Sequence, residues 1–291
     1  MTFRLGGAHN CFNLKGIKMK KLCYLLCLII FVFCSSIAFA GELSNKLSTE
    51  SIIEKIQKNR VIRVGMSTFV PWAMKDKKGK LIGFEIDVAK KLAHDMGVKA
   101  EFIPTAWSGI IPALLTGKFD VIIGGMGITP QRNLKVNFTI PYDFSGMSMV
   151  ASKARAKGFS TINDFNKKNI TIAARMGTTA EQAVRKFIPN AKLKLFDNES
   201  QALQELILGR VYAVVSSAPM PVFYALKYPG RLFIPLKGTF TKEPIGFAIR
   251  KGDYDALNYF NNWILYTQSQ GFFKEKKAYW FESKKWESLV K

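Results

Sequence analysis

The chain has 291 residues, 48% of them hydrophobic, and a net charge of +22; it is long enough for two modest domains and too apolar for intrinsic disorder. Its basicity would suit nucleic acid or an anionic membrane, but the lysines stand in ones and twos with no run of five, so a solvated Lys-rich surface is expected and a nucleic-acid partner is not. All four cysteines precede residue 41 and His94 is the one histidine after it, which removes Cys-based zinc sites and Cys nucleophiles from the later chain and leaves a Ser-His-Asp triad nothing but a mid-helix histidine.

Lys18, Lys20 and Lys21 precede an apolar run from Leu22 to Ala40 that ends in Ala38-Phe39-Ala40. A charged region, an apolar region and an A-x-A ending form a secretory signal peptide, expected to start at Met19, to be cut after Ala40 and to send the protein to the periplasm. An uncleaved membrane anchor is the alternative; Ser35 and Ser36 dilute the run where an anchor would stay apolar.

A short charged helix near 49–58 leads into a strand at 61–64. Phe84, Val88, Leu92 and Met96 recur every four residues and predict a helix over 84–96, stopped by Gly97. A strand at 99–104, a helix at 108–116 and a buried strand at 119–124, apolar but for Asp120, follow. From about residue 150 the pattern restarts, with strands at 169–173, 192–196 and 211–216 alternating with helices at 179–187 and 198–208. A further strand at 244–250 and two aromatic-rich helices near 254–270 and 272–281 complete the chain. The reading is two similar α/β units with parallel strands, and ligands in such folds sit in a crevice beyond the strands' carboxyl ends.

Three segments fall at those ends: Met66–Trp72, Gly124–Arg132 and Arg175–Thr179. Glycines beside an arginine put bare backbone next to a fixed cation, and Gly177-Thr178-Thr179 at a helix start offers a cap, two hydroxyls and the positive end of a dipole. Both arrangements suit a carboxylate; an ordinary loop and a surface arginine are the plain alternative.

The stretches Leu81–Ala89, Trp107–Leu114, Gly117–Gly124, Ile128–Arg132, Phe138–Tyr142 and Gly177–Glu181 together resemble the periplasmic binding proteins of ABC importers for polar amino acids, bacterial solute-binding family 3, over about residues 60–280. The resemblance implies a two-lobe, Venus-flytrap fold of type II. Lobe 1 would be 45–148 plus 244–291 and lobe 2 would be 149–243, with hinge strands near 148–152 and 245–249. It implies a monomer that captures a small carboxylate, an amino acid above all, and passes it to a membrane permease, with no cofactor, no metal and no catalytic residue. Arg132 would pair with the ligand carboxylate, helped by Gly125, Gly127, Thr178 and Thr179, and Phe69 and Trp107 would sandwich the ligand side chain. Ser217 stands where family members carry the acid that holds the ammonium, which leaves Asp143 or Glu181 to do so, or a ligand without an amine. The rival class is a periplasmic prephenate or arogenate dehydratase, with Glu181 as its general acid; a soluble sensor partner is a third.

Overall fold

A computed structural model describes residues 51–290; the expected signal peptide lies outside them. In chain order the elements are helix α1 (Ile52–Asn59), strand β1 (Val61–Met66), the short pair β2 (Met74–Lys75) and β3 (Leu81–Ile82), helix α2 (Phe84–Asp95), β4 (Lys99–Pro104), α3 (Ile110–Leu115), β5 (Val121–Ile122), α4 (Pro130–Asn133), β6 (Asn137–Phe138) and β7 (Asp143–Ser145). The restart of the pattern gives β8 (Met147–Ser152), α5 (Ile162–Phe165), β9 (Thr171–Arg175), α6 (Thr179–Phe187), β10 (Lys192–Phe196), α7 (Glu199–Ile207), β11 (Ala213–Ser217), α8 (Met220–Lys227) and β12 (Leu232–Phe233). The chain then returns through β13 (Glu243–Ile245) and β14 (Ala248–Ile249) to α9 (Tyr254–Ser269) and α10 (Phe272–Lys277).

Two five-stranded sheets result, ordered β4-β1-β5-β14-β6 and β10-β9-β11-β8-β12. In each, the first three strands are parallel and the last two join antiparallel to their neighbours. Both sheets therefore have a strand, β1 or β9, whose sequence-successive neighbours lie on opposite sides, and the crevice at such a switch point is where α/β folds hold ligands. The two switch points face one cleft.

The expected strand at 244–250 is instead two. Gly246 separates β13, which pairs with β7 in a two-stranded ribbon, from β14, which enters the first sheet. A Cβ at Gly246 would lie 2.9 Å from Ile128 Cδ1, so any larger residue there would make the Ile128 side chain shift. This ribbon joins the lobes. Residues 148–152, expected as a hinge strand, are buried within the second sheet as part of β8. Their all-apolar-or-small run reads the same for a linking strand and for an interior one.

The aromatic-rich C-terminal region is core. Phe260, Trp263, Phe273, Trp280 and Trp286 are buried with α1 and α2 around the first sheet. Trp263 Nε1 donates to Asp95 and Trp280 Nε1 to Asp87, which also explains two acids of the Leu81–Ala89 stretch and its neighbourhood. Glu85 is buried too, accepting from the Tyr142 hydroxyl.

Candidate functional site

The cleft is lined from the first sheet by Phe69, Trp107, Gly124, Gly125, Gly127 and Arg132. The second sheet contributes Arg175, Thr178, Thr179, Glu199, Ser216 and Ser217, with Met147 and Ala180 filling the floor. Eight of the nine residues expected from the sequence thus share one cavity. The ninth does not.

Arg132 sits in α4, a single turn that Thr129 caps by accepting from the Arg132 N–H. Arg132 is 7% exposed, and its guanidinium donates to Gly127 O at 2.8 Å and reaches across to Gly177 O at 3.1 Å. Among the described residues no carboxylate lies within 4.0 Å of it. Burial pushes it down to about 10, with Glu243 partly offsetting this, so it remains a cation at neutral pH. A desolvated cation that touches both lobes and forms no ion pair within 4.0 Å among the described residues suits an anion.

The glycines beside it are required by close approach. Gly125 has φ +68°, and a Cβ there would lie 3.1 Å from the Trp72 ring. A Cβ on Gly127 would stand 3.0 Å from Glu243 Oε2 and in ordinary contact with Arg132 Nη1 and Thr179, so the Glu243 carboxyl would have to give way.

Opposite them, Thr178 caps α6, accepting from the Glu181 N–H and donating to Arg175 O at 2.6 Å. Thr179 follows as the first helical residue, where unpaired N–H groups and the helix dipole favour negative charge. Glu181 is spent elsewhere. One oxygen accepts from Gly177 N at 2.9 Å and the other from Arg185, so its carboxylate serves the turn rather than a ligand amine or a proton transfer.

Phe69 and Trp107 line the cleft from different directions. Phe69 stacks on Trp72 with centroids 5.8 Å apart and planes 6° from parallel, and its other face is turned to the cavity. Trp107, 8% exposed, has guanidiniums near its ring on two counts, Arg132 at 5.8 Å and Arg175 at 5.3 Å. Such contacts orient cations over an aromatic face.

Asp143 departs from expectation. It belongs to β7 and pairs with Lys277 Nζ at 2.5 Å, lining a separate, more open groove with Trp72 and Phe281. Its partner Lys277 comes from the C-terminal helix α10, a contact between residues 134 positions apart that a three-residue strand does not announce in sequence.

Two charged residues of the cleft, Arg175 and Glu199, are not among the nine expected ligand contacts, although Arg175 opens the Arg175–Thr179 segment. Arg175 ends β9, is 4% exposed, donates to the Ser67 hydroxyl of the other lobe and keeps its Nε without a partner. Its place at a strand end beside Gly177 was the available signal. Glu199 opens α7, is 6% exposed, and accepts from the Ser216 hydroxyl through Oε1 while Oε2 has no hydrogen-bond partner among the described residues. Burial raises its carboxyl, with Ser216 and Arg175 opposing. An acid after an Asn198 cap reads as ordinary helix-dipole complementarity, which concealed it.

The family model of the bacterial extracellular solute-binding proteins, family 3, matches residues 62–283. A solved ancestral amino acid-binding protein, AncCDT-1, described as a precursor of cyclohexadienyl dehydratase, is 42% identical, covering 79% of this chain and 99% of its own, with a TM-score of 0.73. A binding component of an ABC transporter from Wolinella succinogenes, solved with lysine, is 40% identical over 78% of this chain and 98% of its own, with a TM-score of 0.74. The L-cystine-binding protein TcyJ of Escherichia coli K12 is 27% identical over 83% of this chain and 90% of its own length.

Proposed function

The chain belongs to the bacterial extracellular solute-binding proteins, family 3, and from that premise we propose that it captures an amino acid in the cleft by lobe closure and delivers it to the membrane permease of an ABC importer. The observation that carries this reading is the buried Arg132 guanidinium, bonded to Gly127 O of its own lobe and Gly177 O of the other, with no carboxylate partner among the described residues. A ligand carboxylate placed there contacts both lobes at once, and such differential contact is what drives a hinge toward its closed state. Gly127, Thr178 and Thr179 surround that carboxylate, Phe69 and Trp107 flank the remainder of the ligand, and Ser217 lines the far wall. The relatives that are named for amino acids or were solved with lysine support the ligand class.

The same reading takes lobe 1 as 45–148 plus 244–291, lobe 2 as 149–243, and residues 1–40 as an export leader that places the protein in the periplasm. It is a monomer, and its partners are the ligand and the permease rather than nucleic acid.

The test is a thermal-shift screen of refolded, ligand-stripped protein against the L-amino acids and L-cystine. A ligand at a hundred times its Kd stabilises by about 2.7 kcal/mol, and Arg132→Ala abolishes the shift. No shift with any of them sinks the reading.

The dehydratase alternative is kept by one observation, a buried carboxyl, Glu199, in the cleft. Incubation with prephenate decides it: the binding-protein reading expects no aromatic product.

A further inference from the structure

We propose that Glu199 is the group that receives a ligand ammonium, which makes the ligand an α-amino acid in preference to its deaminated counterpart and makes Glu199 a specificity-determining residue. The inference rests on the cleft being the binding site and assigns to α7 a task that β11, with Ser217 at its end, has no charge to perform.

The geometry is that of a half-satisfied carboxylate. Glu199 is 6% exposed, and its Oε1 accepts from the Ser216 hydroxyl, so the group is held in one orientation. Oε2 is buried without a donor among the described residues, yet the residue lines the cavity. A buried carboxylate oxygen without a donor carries its full desolvation cost, which a cation in the cleft would relieve.

The neighbouring charges do not relieve it. Arg175 acts on Glu199 electrostatically but forms no ion pair with it within 4.0 Å. Its guanidinium is turned to Ser67 and lies 5.3 Å from the centre of the Trp107 ring. Tyr224, from the helix packed beneath, feels the charge and supplies no hydrogen bond to it. Facing each other from opposite lobes, and in no ion pair within 4.0 Å among the described residues, are thus the Arg132 guanidinium and the Glu199 carboxyl with its open oxygen, the second guanidinium, Arg175, being engaged by Ser67. A molecule with one carboxylate and one ammonium matches both, whereas a hydroxy acid of the same side chain satisfies Arg132 alone.

The experiment measures, by titration calorimetry on the whole protein, the Kd of the tightest-binding L-amino acid of the screen and of its L-2-hydroxy acid. Wild type and Glu199→Gln are compared, with Glu199→Asp as the charge-retaining variant and thermal melts to check folding. Wild type is expected to prefer the amino acid by about 10- to 100-fold, the scale of a charge-assisted bond. Glu199→Gln should collapse that ratio, mainly by weakening the amino acid, and Glu199→Asp should restore part of it. A wild-type ratio near one overturns the assignment without recourse to any variant. So does a Glu199→Gln protein that weakens both ligands equally, which would make the residue a structural counter-ion of Arg175. Failure of wild type to bind either compound overturns the proposed function itself.

Discussion

The Tyr142 hydroxyl lies 2.7 and 2.8 Å from the two oxygens of Glu85, within hydrogen-bond reach of each, in a site sealed from solvent by Phe84, Phe247 and Phe273. Burial is the main reason that the Glu85 carboxyl is raised to about 8; the Tyr142 bond acts against it and Asp143 adds to it. The folded protein therefore holds a proton that the unfolded chain, at 4.5, releases. Stability is greatest below the unfolded value, falls as pH rises from there to about 8, and is level above. The fall should be on the order of a few kcal/mol. Urea melts at three pH values should show it in wild type and not in Glu85→Gln, which stays neutral throughout. An unchanged slope in the variant would locate the titration elsewhere.

Arg132 gives the second expectation, a separation of affinity from stability. Arg132→Met should lose binding by about 2–5 kcal/mol, the cost of stripping one partner from a desolvated pair. Its ligand-free melting temperature should stay level or rise, because a buried cation without a counter-ion is removed. Arg132→Lys keeps the charge and loses the fork, and should fall between the two in affinity. Calorimetry and a melt on the same samples check both halves.

At Gly65 the first sheet meets Phe119 edge-on. A Cβ there would stand 2.3–2.5 Å from three atoms of that ring, and Phe119 is fully buried. Gly65→Ala should cost about 1–3 kcal/mol, a drop of several degrees in the melt of a protein this size. Gly65→Ala with Phe119→Leu should recover part of it.

Asp253 ties the two ends of the first lobe. It accepts from the Ala256 N–H at 2.9 Å as the cap of α9, and from Ser51 Oγ and the Ile52 N–H at 2.8 and 2.7 Å at the start of α1. Asp253→Ala should destabilise by about 1–2 kcal/mol, with Asp253→Asn milder. Limited proteolysis should cut first near residues 51–60 in the alanine variant, and protection there equal to wild type would contradict the role.

The elements that the sequence announced well are those with their own punctuation. The helix at 179–187 and the strands at 99–104 and 192–196 lie at their expected bounds because a Thr178 cap, Gly97 and apolar alternation mark them. The strands β2, β3 and β7 have no counterpart in the sequence pattern, and β13 is there only as the start of one longer strand, since strands of two or three residues carry no periodicity and exist by virtue of their partners. The site divides in the same way. Arg132, Gly127 and the threonines follow strands of clear pattern, whereas Glu199 looks like any acid in a first helical turn and gains its meaning from Ser216 and the cavity wall across a loop. The acid absent at Ser217 was visible in the sequence; the one that stands beside it was not.

The ribbon of β7 and β13 sets Ser145 directly against Glu243, although the whole second sheet lies between them in the chain. A chain emerging from its N-terminus thus makes all five strands of the second sheet before β14 exists to close the first. Until then β5 is an open edge, and the faces that α9, α10 and Trp280 will cover are bare. The second lobe can complete its strand pairing from one continuous stretch, while the first waits, half-built, for the last part of the protein to arrive.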